Sequence, residues 1–111
     1  MDKSSQIDTF SRFTQVSRET ISSLKKYEQI LKETNKKFNL IGSSTVENIW
    51  NRHFLDSSQV IDLIEENDKT LIDIGSGAGF PGLILAILAK DRKKIINIKL
   101  IEKSPKKVKF L

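Results

Sequence analysis

Cysteine is absent from the 111 residues, which removes disulfides and thiolate metal sites from consideration. Histidine occurs once, at His53, so this chain alone offers no multi-histidine metal centre. Long hydrophobic runs are missing too. The longest, Leu83–Ala89, is far shorter than the roughly 20 residues that a bilayer crossing requires. The first residues, Met1–Gln6, are polar and lack the apolar core of a secretory signal, so a cytoplasmic, membrane-free protein is expected. Proline is rare, with only two, and arginine clusters do not occur.

Hydrophobic residues make up 38% of the chain and charged residues 30%, a globular composition with enough length for one modest core. The formal net charge is +5, carried by lysines that often come in pairs, such as Lys36–Lys37 and Lys106–Lys107. Counterion release would favour a polyanionic partner. An ordinary solvated lysine surface fits the same charge, because the lysines are spread along the chain.

Apolar spacing predicts helices through residues 1–69. Ile7, Phe10, Phe13 and Val16 form one stripe, and Ile21, Leu24, Tyr27, Leu31 and Phe38 another. Ser17 is placed to cap the second helix and Asn39 to end it. Ser44 and Glu47 have capping-box spacing ahead of Val46, Ile49, Trp50, Phe54 and Leu55. A further helix is predicted from about Ser57 to Glu66, burying Val60, Ile61, Leu63 and Ile64. Trp50 and Tyr27 fall on apolar stripes, which points to core packing ahead of base stacking.

The pattern changes at Thr70. Thr70–Ile74 reads as a strand, Gly82–Lys90 as a helix apolar on nearly every side, and Ile95–Ile101 as a second strand. Ser104 and Pro105 open another helix. Residues 70–111 therefore read as a β-α-β unit of an α/β fold, with only two strands visible. Two parallel strands alone need cover on both faces.

Four of the five glycines fall in the turn after the first strand and at the start of the helix that follows, at Gly75, Gly77, Gly79 and Gly82. A strand, a glycine turn and a helix N-terminus form a nucleotide-type site at the carboxyl end of a parallel sheet. Glu102, at the end of the second strand, is the partner expected to accept hydrogen bonds from ribose hydroxyls. Gly77–Gly82 fits the dinucleotide pattern G-x-G-x-x-G, which keeps an NAD-binding protein as an alternative. Asp73 argues the other way: its carboxylate would repel a pyrophosphate but can organise a loop that receives an ammonium-bearing ligand.

Asp73-x-Gly75-x-Gly77-x-Gly79 resembles motif I of the Rossmann-like class I S-adenosylmethionine methyltransferases. Several further stretches resemble the guanine-N7 methyltransferases of 16S ribosomal RNA, the glucose-inhibited division protein B family. They are Asn35-Lys-Lys-Phe-Asn-Leu40, Arg52-His-Phe-Leu-Asp-Ser57, the Phe80-Pro81-Gly82 end of the loop, Leu100-Ile-Glu102 and Lys106-Lys-Val-Lys-Phe-Leu111. Glu102 stands where the family commonly has aspartate. The resemblance implies an enzyme using S-adenosylmethionine, with 16S ribosomal RNA or the 30S subunit as partner and no metal. It implies cofactor contacts from Asp73, Gly75, Gly77, Gly79, Phe80 and Glu102, and it singles out no catalytic base. Phe80 is open to either ligand contact or core packing. Arg52 and His53 are open to two roles: contact with RNA phosphate or pocket closure, or structural support, with Arg52 bonding carbonyls or Asp56 and His53 packing under the glycine loop.

Residues 1–69 are thus expected to form an N-terminal helical region, and by the resemblance residues 70–111 the start of the S-adenosylmethionine-binding domain. The later strands of a seven-stranded sheet are not recognisable, so the expectation is a truncated form, inactive alone, that could be completed by a C-terminal fragment. A non-catalytic RNA- or cofactor-binding remnant is the remaining alternative.

Overall fold

The structure is a computed structural model describing residues 2–111. Helix α1 (Lys3–Thr14) begins at Asp2, whose side chain accepts the Ser5 N–H at 2.8 Å. Its buried stripe is Gln6, Phe10 and Thr14. Phe13, placed on the stripe by sequence, is instead 56% exposed. The i, i+4 spacing follows the turn of an α-helix, whereas a repeat of three drifts round to solvent. Gln6 answers its own burial by donating to Glu47 O at 3.1 Å.

Helix α2 (Arg18–Asn35) is capped as predicted by Ser17, whose hydroxyl accepts the Thr20 N–H at 3.2 Å. It ends short of Asn39. Asn35 Oδ1 accepts the N–H groups of Leu40 at 2.7 Å and Ile41 at 3.0 Å and turns the chain there.

The next stretch departs most from expectation. Ser43–Asn48 is a 3-10 helix entered at Gly42, with no side-chain cap, so the Ser44–Glu47 capping box does not form. Trp50–Leu55 has π-helical geometry, Asp56–Ser58 is a single α-turn (α3), and Gln59–Leu63 is again 3-10. Packing, not hydrogen-bond regularity, governs this path. Trp50 and Phe54 are both almost fully buried, edge-to-face at 5.0 Å, and Trp50 meets Phe10 at 5.3 Å. The three-residue turn puts Ile61 and Ile64 on the same inward side. It turns Leu63, expected in the core, outward to 77% exposure.

Strand β1 (Thr70–Ile74) has the predicted bounds. Strand β2 (Asn97–Ile101) starts later than Ile95, which is 96% exposed. The two are parallel, with Thr70 opposite Asn97 and Ile74 opposite Ile101. Between them runs α4 (Gly82–Asp91), and after β2 comes α5 (Pro105–Phe110). The apolar circumference of α4 is explained by its position. Ile84, Leu85 and Leu88 are fully buried, in one core cluster with Phe10, Leu24, Leu31 and Phe54 from the helical stretch, and the half-buried Leu71 and Ile98 of the sheet pack against it.

The other face of the sheet is bare. Ile72, Ile74 and Ile101 are each half exposed or more. Among the described residues, no helix is long and apolar enough to cross a membrane.

Candidate functional site

The glycine loop leaves β1 at its carboxyl end and enters α4. Gly75, Gly77 and Gly79 have φ of 76°, 57° and 103°. The loop is tied to the sheet by Gly75 and Ser76 N–H groups donating to Ile101 O at 2.7 and 3.1 Å. It closes on itself through Gly79 and Phe80 N–H groups donating to Ser76 O at 2.8 and 3.2 Å. Above Gly75 the surface is open: a Cβ built there meets nothing within 4 Å. A ligand can therefore approach the backbone itself, the reason such loops are built from glycine.

Three side chains pin this loop. Asp73 is buried and its Oδ2 accepts the Gly82 N–H at 2.9 Å, satisfying a free donor at the start of α4. A carboxylate there also lies at the favourable end of the helix dipole. Glu102 follows the last residue of β2. Its Oε1 accepts the Gly77 N–H and its Oε2 the Ser104 N–H, both at 2.8 Å. These bonds, Ser104 first and then Gly77, hold the Glu102 carboxyl below its ordinary pKa. An ionised carboxylate has about four acceptor positions, so about two remain for hydroxyl donors. The third anchor is Tyr27 of α2, whose hydroxyl donates to the Ala78 carbonyl. Burial pushes the Tyr27 phenol well above its usual pKa, so it stays a donor.

Phe80 points toward the helices. Its ring stacks on His53 at 4.8 Å with 4° between planes and lies 6.0 Å from both Tyr27 and Phe54. His53 Nε2 is 2.9 Å from Thr45 Oγ1. Its pKa is lowered, first by burial and then by Arg52, with Asp56 opposing, so the ring is neutral near pH 7. Arg52 is exposed and takes no part in the three ion pairs among the described residues. The structure thus brings Asp73 and Glu102 to one glycine loop, stacks His53 on Phe80 at the loop's end, and leaves Arg52 outside.

Sequence reasoning missed two partners, the Tyr27 hydroxyl and Thr45. A broad concavity lies elsewhere, between residues 15–23 and 87–93. There the Asp91 carboxylate already serves the Ser17 N–H at 2.9 Å and the Thr20 hydroxyl at 2.6 Å. It is a junction between α2 and α4 and contains none of the loop residues. Among the described residues, no group of three or more His, Cys, Asp or Glu is arranged to hold a metal ion.

A family model described as rRNA small subunit methyltransferase G matches residues 20–111. The chain belongs to that family. The ribosomal RNA small subunit methyltransferase G of Rhodospirillum centenum is 46% identical over 96 residues, 86% of this chain and 42% of the relative. Those of Parvibaculum lavamentivorans and Rickettsia akari are 40% and 41% identical over 94% and 87% of the chain, and 46% and 48% of the relatives. The chain therefore spans less than half the length of these curated relatives. The matched span contains every loop residue described here, the Arg52–His53 pair and the Tyr27 anchor. The helices and the β-α-β unit with its two parallel strands are consistent with an incomplete Rossmann-like methyltransferase fold.

Proposed function

We propose that this chain is the S-adenosylmethionine-binding part of a cytoplasmic enzyme that methylates N7 of a guanine in 16S ribosomal RNA. The observation that carries the reading is the pair of carboxylates flanking one open glycine loop. Asp73 holds the loop's exit at Gly82, and Glu102 holds its middle at Gly77 with acceptor capacity to spare. This set of acceptors suits an adenosine carrying a cationic side chain. The buried Asp73 disfavours a pyrophosphate, which counts against NAD despite the G-x-G-x-x-G spacing.

In this reading Glu102 accepts from the ribose, the Gly75–Gly79 backbone faces the methionine portion, and Phe80 supports the loop from below through its contact with His53. The cofactor supplies an electrophilic methyl group. Guanine N7 is nucleophilic without losing a proton, so the residues need to align it, and a strong base is unnecessary. That agrees with a site in which the carboxylates are occupied by backbone donors. Arg52 and the net charge of +5 are suited to RNA phosphate.

The bare sheet face at Ile72, Ile74 and Ile101 suits a further segment equivalent to the rest of the relatives' length. The test is methyl transfer from labelled S-adenosylmethionine to 30S subunits. The chain is mixed with the remaining portion of the Rhodospirillum centenum relative. Label at guanine N7 is expected, and Gly77→Val in this chain is expected to abolish it. No transfer from the wild-type mixture, or transfer unaffected by Gly77→Val, would contradict the proposal.

A further inference from the structure

Of the three side chains that pin the glycine loop, Asp73 lies in β1, Glu102 directly follows β2, and Tyr27 alone comes from the helices. Its ring is held on several sides, stacked on Phe54 at 5.4 Å and lying 6.0 Å from Phe80 and 6.3 Å from Phe110. Its hydroxyl reaches Ala78, between the glycine that binds Glu102 and the glycine with φ of 103°. The Ala78 carbonyl and the Gly79 N–H belong to one peptide plane. The N–H donates to Ser76 O at 2.8 Å and the carbonyl accepts from Tyr27, so the plane is fixed at both ends. Without the hydroxyl, only the Gly79 N–H bond to Ser76 O would hold this peptide, and the permissive torsions of Gly79 would oppose its rotation little. The fit is close, for a Cβ at Gly79 would lie 2.5 Å from the Tyr27 oxygen.

We propose that Tyr27 is a positioning residue for the cofactor: its hydroxyl locks the Ala78–Gly79 peptide and so holds the loop in its ligand-receiving shape. This rests on the loop being the S-adenosylmethionine site. It makes affinity at the sheet depend on a helix that contributes no residue to the loop itself. A tyrosine kept only for its ring would behave as phenylalanine does.

The experiment compares wild type and Tyr27→Phe by amide hydrogen exchange, thermal unfolding and calorimetric binding of S-adenosylhomocysteine. The variant keeps the ring and is expected to melt cooperatively a few degrees lower. Exchange at Gly79 should accelerate about five- to tenfold more than at Leu24 or Leu85, and affinity should weaken by a similar factor, the worth of one hydrogen bond. If Gly79 exchange rises no more than the core amides, or if affinity is unchanged in a wild type that binds, the proposal is overturned. If the wild type binds no S-adenosylhomocysteine yet Gly79 exchange rises selectively, the cofactor reading falls and the locking role of Tyr27 stands.

Discussion

The helices before Thr70 and the β-α-β unit after it are held together by different means. The helical stretch is fastened by volume: Phe10, Leu24, Leu31, Trp50 and Phe54 are buried almost without remainder. The glycine loop is fastened by direction, through backbone hydrogen bonds, two carboxylates and a phenol, with open space above Gly75. A packed interior tolerates irregular backbone, as the mixed 3-10 and π path of residues 43–63 illustrates. A loop that leaves its backbone open tolerates very little, because hydrogen-bond direction and not volume holds it.

The comparison breaks most severely if the two regions come apart. Phe54→Ala removes a ring that touches Tyr27 and Phe80 as well as Trp50, and should lower stability by about 3–5 kcal/mol. Urea unfolding followed by Trp50 fluorescence and by far-ultraviolet circular dichroism should then give coincident transitions. Separate transitions would show that the regions fold independently.

Next come two glycines with the same formal problem and different surroundings. Gly79→Ala meets both a positive φ and the Tyr27 and Leu83 side chains, and should lose about 3 kcal/mol. Gly75→Ala meets only the positive φ and should lose about 1–2 kcal/mol, while still obstructing a ligand. Equal losses in chemical denaturation would deny that the loop's two ends are held differently.

A smaller effect concerns acid. The folded pKa of His53 lies below its ordinary value, so the unfolded chain takes up a proton first. This contribution is present above about pH 6.5 and is lost as pH falls through that region. The melting temperature should decline there, and His53→Gln should flatten that part of the profile. Glu28 of α2, paired with Lys3 at 3.0 Å and Lys32 at 3.2 Å, also has a lowered carboxyl; it and Glu102 act in more acid solution, where their contributions are lost as they protonate. The smallest effect is expected on the bare sheet face, where Ile72→Lys should change the stability of this chain by no more than about 0.5 kcal/mol.

What could be read from sequence follows the same division. The bounds of β1, the start of α4 and the Ser17 cap were legible because strand-type runs, a proline–glycine junction and a capping serine act locally. The convergence of Asp73 and Glu102 on one loop was legible from their spacing along a strand–turn–helix–strand pattern. The path of residues 43–63 was not, because the partners that set it, among them Phe10 and Gln6, lie far away in sequence. Nor was the role of the Tyr27 hydroxyl. A tyrosine on an apolar stripe looks the same whether or not its oxygen has a partner, and Ala78 is 51 residues distant.

The most direct test is a titration of the isotopically labelled chain followed by amide NMR, which registers even millimolar binding. S-adenosylhomocysteine should shift the amides of Gly75, Gly77 and Gly79 together with that of Glu102, and leave α1 unmoved, while NAD shifts none of them. Loop shifts produced by NAD, or none produced by S-adenosylhomocysteine, would contradict the assignment of this loop to a sulfonium donor.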